Sequence, residues 1–335
     1  MTRLIRDTGD EGDQRVIGGH MVVDGHADIL ARMCEQRLPF VGETPLHQGY
    51  ENLRRSGVDV QVCAMFASPR LTAADQLAAL IDMYIAFTRQ ILATGDIAPL
   101  AWAQDVPDAT RQGASARSMH ALLSVEGAGA LDGRMNVLYT LFDLGVRMVG
   151  LTWNDANCLA DGVGETRGAG LTAFGVQVVR EMQQLGMVVD VSHLAPRGVH
   201  DVISISAGPV VASHSNAAAV HGHRRNLGDE QMRAIAETGG VIGMTFVPGF
   251  ISSSDVVSTD DLLRHVDHAL RVVGPDAVAL GSDFDGIETT LGDLRHGLDY
   301  PAFLNRLHSW LGDVDFGKVA GGNWLRVLRR VLPAR

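Results

Sequence analysis

Eight short apolar runs recur along the chain, and their spacing restricts the fold more than any other feature. They are Met21–Asp24, Val58–Phe66, Ala121–Val125, Val146–Leu151, Met187–Val191, Pro209–Ala212, Val241–Phe246 and Ala277–Leu280. Each is rich in aliphatic residues without clean alternation, and each closes on small or polar residues. Such runs describe parallel strands covered on both faces. Helical patterns fill the intervals. Thr72 and Asp75 form a capping pair, after which Leu77, Leu80, Ile81, Tyr84 and Ile91 share one face. Phe174, Val178, Met182 and Leu185 repeat the stripe and stop at Gly186, and Asp261–Val273 stops likewise at Gly274. Eight strand–helix units in 335 residues predict an α/β fold, a closed (β/α)8 TIM barrel. An open doubly wound sheet is the competing arrangement, but the first run leads into His-Ala-Asp instead of a glycine fingerprint. No repeat, low-complexity stretch or linker interrupts the pattern. The expectation is one barrel domain over 21–335 behind a loose arm over 1–20.

Composition narrows the function classes. A formal charge of −11 argues against nucleic-acid binding. Cys34, Cys63 and Cys158 are odd in number and widely spaced, which fits reduced thiols and a cytoplasmic protein. The first 20 residues lack the apolar core of a secretory leader. No run approaches the length of a membrane span, so no membrane partner is expected. The closing WLRVLRRVLPAR reads as an amphipathic helix. A homodimer is left open.

Chemistry gathers where the apolar runs end. His26 and Asp28 follow the first run, and in extended structure residues two apart face the same side. One imidazole and one carboxylate aimed at one point make half a site for a divalent cation, although a surface turn has the same spacing. The other run ends decide between these readings. Glu126 follows the third run, His193 the fifth, His214 the sixth and Asp283 the eighth. In a barrel those ends open on one face, so six metal-type side chains converge. The chain's single lysine, Lys318, lies far from any run end. A carboxylated lysine cannot therefore bridge two ions, and Glu126 is the bridging candidate.

Longer motifs carry a resemblance. DGHADIL, LLSVEGAGAL, the stretch from Gly170 to His193, SHSNA, the HRRN of His223–Asn226 and GSDFDG occur in order and span residues 21 to about 290. NWLRVL follows near residue 325. Together they resemble the membrane dipeptidase (renal dipeptidase) family, peptidase family M19 of the amidohydrolase superfamily. The resemblance implies a metallo-dipeptidase on a TIM barrel of the metal-dependent hydrolase type, with two Zn²⁺ per chain bridged by Glu126 and a water or hydroxide. His26 and Asp28 would bind one zinc, and His193 and His214 the other. Asp283 would be the catalytic acid/base, and Arg225 would hold the carboxylate of a small dipeptide substrate, including dipeptides with a C-terminal D-residue. Where the family carries LTHN, this chain has Leu151-Thr152-Trp153-Asn154. Trp153 and Asn154 are thus expected at the substrate, with a changed substrate range. The alternatives are a binuclear zinc hydrolase of another amide, such as an N-acyl amino acid, or of a lactone, and a non-catalytic binding protein on the same barrel. Asp24 and Asp285 are each readable as supports of the site or as strand-end structure. Cys63 reads as a small core residue, and His47, His120, His200, His221, His265, His268, His296 and His308 as surface or packing residues.

Overall fold

The computed structural model describes residues 19–108 and 119–335. Most of the expected arm therefore lies outside the described residues. Among the described residues nine strands follow in order: β1 Val23–Ala27, β2 Val60–Phe66, β3 Ile97–Pro99, β4 Met119–Glu126, β5 Val146–Gly150, β6 Val188–Asp190, β7 Val210–Val211, β8 Ile242–Met244 and β9 Val278–Leu280. Parallel ladders run through β1-β2-β4-β5-β6-β7 and through β8-β9. Single parallel bridges, Ala212 with Ile242 and Ala27 with Phe284, join the two ladders at both seams. The second seam is reinforced where Asp28 N donates to Phe284 O at 2.8 Å and Asp283 N to His26 O at 3.0 Å. Eight strands thus close into the expected barrel. The ninth, β3, pairs with the start of β4 at Met119–Ala121, and it had no signal beyond three residues.

Each of the eight expected runs overlaps a strand. Two details of the helical reading change. Ile81 is 47% exposed, whereas Leu80 and Ile91 are buried. The buried face of the helix Ala73–Ala86 runs through Gln76, Leu80 and Met83 and leaves Ile81 outside it, and the helix continues into a wide turn over Phe87–Ile91. The segment Ala73–Thr94 is also long and apolar enough to cross a membrane by length and composition, against the expectation that no run reaches that length. Here it lies on the barrel, with Leu80, Met83, Phe87 and Ile91 buried. The capping reading holds: the Thr72 hydroxyl oxygen accepts from Asp75 N. Gly186 sits in the left-handed region, where a side chain would be strained.

The barrel interior divides into a dry end and a polar end. Val23, Val60, Val62, Leu122, Met148, Val188, Val211, Val241 and Ala279 pack inside, at least one from each barrel strand or its edge. The helix Asn323–Val331 closes that end with Trp324, Leu325, Val327 and Leu328. Trp324 is fully buried and donates its indole N–H to Leu280 O at 2.9 Å. Its ring lies so close to β1 that a Cβ at Gly25 would come within 2.6 Å of Trp324 Cε2. A bulge in β1 then changes which side chains face inward. Asp24 pairs with Gln61, but Ala27 already pairs with Cys63, so three steps on β1 match two on β2. His26 is thereby turned to the polar end above Val23.

Trp324→Ala should destabilise the fold by about 3–5 kcal/mol, the range for a fully buried tryptophan. Trp324→Phe should lose less. Urea unfolding of both variants checks the order, and equal losses would remove the ring-packing account.

Candidate metal centre

All six converging side chains meet at the polar end of the barrel. His26 Nε2 lies 3.3 Å from Asp28 Oδ2, 3.8 Å from Glu126 Oε2 and 3.8 Å from Asp283 Oδ1. On the other side, Glu126 Oε1 lies 2.7 Å from His193 Nε2 and 3.4 Å from His214 Nε2. The two Nε2 atoms are 3.0 Å apart, and the His26 and His214 rings approach to 3.9 Å between centroids. Glu126 therefore stands between a histidine–carboxylate half and a two-histidine half, with one oxygen toward each. All six residues are nearly or fully buried apart from Asp283, whose side chain is 14% exposed.

Hydrogen bonds behind the cluster set its chemistry. The His214 Nδ1–H donates to Ser213 Oγ at 2.7 Å, and that hydroxyl donates onward to Asp190 Oδ2 at 2.5 Å. The other Asp190 oxygen accepts from Ser192 N and Ser213 N, both at 2.9 Å. The His214 Nε2 lone pair is thus left facing Glu126. Burial, then the charges on His26 and Arg225, hold His214 well below the usual imidazole range. Burial, Arg225 and His26 do the same to His193. Both rings are neutral, the state in which imidazole ligates metal. Burial raises the carboxyls of Glu126, Asp28 and Asp283, and for the two aspartates neighbouring carboxylates add to it. Burial opposes a charged His26, but Asp28, Glu126 and Asp283 outweigh it and push that group up to about 10. The cluster demands positive charge, either a proton on His26 or a cation.

The donor set fits divalent ions. Ligand atoms of His26, Glu126 and His214 lie within 4.8 Å of one another, and so do those of His26, Asp28 and Asp283. His26 Nε2 and Asp28 Oδ1 are buried without a hydrogen-bond partner among the described residues, a costly state that a shared cation relieves. Neutral imidazoles and carboxylates suit a borderline metal such as zinc.

The remaining expected residues take varied positions. Arg225 is buried while Arg224 is exposed. Arg225 donates from Nη2 to His214 O at 3.1 Å, and its Nε has no partner among the described residues. Trp153 lies between Phe66 and His193, with ring centroids 5.4 and 5.9 Å away. Asn154 contacts the site through His193, whose Nδ1 lies 2.9 Å from Asn154 Oδ1. The Asp24 carboxylate accepts from Ser282 N and Oγ and from His26 N, so it pins β1 to the end of β9 and makes no bond to an imidazole ring. The Asp285 carboxylate accepts from His47 N and Gln48 N and fixes that loop beside the site. Cys63 is a buried core residue whose thiol burial pushes up. Sequence reasoning missed Asp190 and Ser213, although Asp190 is a charged residue set inside the fifth apolar run. His47, read as a surface or packing histidine, accepts through Nδ1 from Asp285 N. No spacing signal marks His47, because its partner lies far along the chain.

Comparison with known proteins points one way. The family model described as membrane dipeptidase (peptidase family M19) matches residues 11–334. A Klebsiella pneumoniae protein, described only as lying in the pqqA 5′ region, is 39% identical over 220 residues, which is 62% of this chain and 80% of that protein. An uncharacterized dipeptidase of Schizosaccharomyces pombe is 36% identical over 211 residues, again 62% of this chain but 52% of its own. The chain thus spans about half the length of that relative. Among solved structures, a metallopeptidase from Rhodobacter sphaeroides, liganded with a phosphinate mimic of the dipeptide L-Ala-D-Ala, superposes with a TM-score of 0.86 at 25% identity. The match takes in 93% of this chain and 99% of that one. A second, a dipeptidase of family M19, gives a TM-score of 0.86 at 26% identity, over 95% of this chain and 100% of that one.

Gly286 leaves the carboxylates room. A Cβ there would collide with Asp28 Oδ2 and come within 2.7 Å of Asp283 Oδ1. Gly286→Ala should therefore fold yet weaken divalent-ion binding on the order of tenfold or more, the scale on which displaced supports act. Competition with a chromophoric chelator measures this, and unchanged affinity would show that the loop yields without moving the carboxylates.

Proposed function

The chain belongs to the membrane dipeptidase family, peptidase family M19, and from that premise we propose that it is a zinc-dependent dipeptidase. Two zinc ions would be held by His26 and Asp28 on one side and by His193 and His214 on the other, with Glu126 shared between them. The observation that carries this reading is the position of Glu126, with one oxygen 3.8 Å from His26 Nε2 and the other 2.7 Å from His193 Nε2. Bound zinc supplies a water of lowered pKa and polarises the scissile carbonyl.

The chain's own groups account for the rest. Asp283 faces His26 and Asp28, where burial holds its carboxyl well above the usual range. A carboxyl so tuned can take a proton from the attacking water and return it to the leaving amine nitrogen. Arg225 brings a buried guanidinium beside Glu126 and Asp283 with Nε still unpaired. That group suits the terminal carboxylate of a dipeptide. Trp153 and Phe66 form an aromatic wall at the same mouth. An indole has no acceptor lone pair and a large apolar face, so this wall favours compact or apolar side chains. The Rhodobacter sphaeroides neighbour holds a mimic of a dipeptide with a C-terminal D-residue, which supports tolerance of that stereochemistry here. With three free cysteines, we place the protein in the cytoplasm.

Zinc-loaded protein should be assayed against L-L and L-D dipeptides, N-acyl amino acids, lactones and C-terminally amidated dipeptides. Turnover should concentrate on dipeptides with a free carboxylate, and Arg225→Met should raise KM for those far more than for the amides. Preference for N-acyl amino acids or lactones would replace the dipeptidase reading. Asp283→Asn should keep its metal and lose about 10²–10⁴-fold in kcat, the usual scale for a positioned acid/base. Near-normal turnover would remove Asp283 as the proton carrier.

A further inference from the structure

We propose that Asn154 is a positioning residue of the metal centre: its side-chain oxygen holds His193 in the tautomer whose Nε2 lone pair faces Glu126 and His214. The inference rests on reading the cluster as a metal centre. His193 stands beyond the end of β6 in left-handed backbone, φ 67°, where no strand ladder fixes its ring. Its Nε2 points at Glu126 Oε1 and His214 Nε2, and its Nδ1 at Asn154 Oδ1, 2.9 Å away. An amide oxygen only accepts, so Nδ1 carries the hydrogen and Nε2 keeps its lone pair.

His214 reaches the same tautomer by a different route, through Ser213 to the buried Asp190 carboxylate. The two imidazoles therefore have unlike supports. One is a charged chain at the ends of β6 and β7, and the other a neutral amide on a loop. That loop and the His193 turn form one unit. Val163 N donates to His193 O at 2.7 Å, and Gly164 N to Asn154 O at 2.8 Å. Gly162 bridges Leu194, and Trp153 stacks over the His193 ring with planes 29° apart. Asn154 holds the ring edge while Trp153 covers its face.

The test measures zinc affinity by chelator competition and the imidazole tautomers by ¹⁵N NMR of metal-free protein. Asn154→Ala should weaken one of two zinc ions by about 10–100-fold, the scale of lost ligand supports, and should leave the other in place. The His193 Nδ1–H signature should be lost while that of His214 persists. Asn154→Asp offers the same acceptor and should restore both readouts; if the alanine variant does not fold, this variant still decides, because weaker zinc binding in it overturns the proposal. Wild-type affinity and an unchanged His193 tautomer in Asn154→Ala also overturn it, while leaving the metal reading intact. A wild-type protein that binds no divalent ion overturns both.

Discussion

The arrangement turns on a set of groups that accept hydrogen bonds but have few hydrogens to offer one another. His193 and His214 direct Nε2 lone pairs at Glu126, and Asp28, Glu126 and Asp283 surround His26. Burial makes isolated carboxylates expensive, so the cluster is stable only with positive charge at its centre. Without a metal that charge is the proton His26 takes up at about 10. A divalent ion would meet the same demand, and because His26 would have to give up that proton to ligate it, binding would strengthen as pH rises.

The barrel tolerates such a cluster because its two ends are built from opposite materials. Aliphatic side chains and Trp324 fill the interior at the end covered by the last helix. The opposite end is lined by the site residues and their supports, Asp190, Ser192, Ser213 and Ser282, all buried and hydrogen-bonded. Asp24 links the halves. It sits on β1 between the apolar Val23 and the polar-end His26, and its bonds to Ser282 tie the first strand to the last. A barrel closed by single bridges at two seams gains most where a buried carboxylate crosses a seam.

Much of this was legible in the sequence because both signals are local. An apolar run followed by a metal-type residue specifies a strand and its outward end, so the ligand candidates and eight strands could be read directly. What could not be read depends on contacts remote in sequence. Ile81 reads as a core position beside Leu80, but the face that packs runs through Gln76, Leu80 and Met83 and leaves it out. β3 is too short to carry a period. Asn154 was placed by its motif near substrate, yet its side chain engages His193, 39 residues away. Asp24 and Asp285 were undecided between two roles, since only the fold reveals that their partners are Ser282 and the His47 loop.

The same locality explains where the backbone is strained. His193, Asp283 and Asp285 adopt φ of 67°, 65° and 68°, a region that costs a side-chain-bearing residue about 1–3 kcal/mol. His193 and Asp283 lie past the ends of β6 and β9, where no strand ladder sets the direction of a side chain. The left-handed step swings His193 and Asp283 back over the mouth, and the surrounding bonds hold them there. Val163 N secures the His193 carbonyl, and Gly286 N secures that of Asp283. Glu126 needs no such step, because it is the last residue of β4 and already faces inward. Its place between the two halves is set by the strand ladder, whereas the groups around it are aimed by turns.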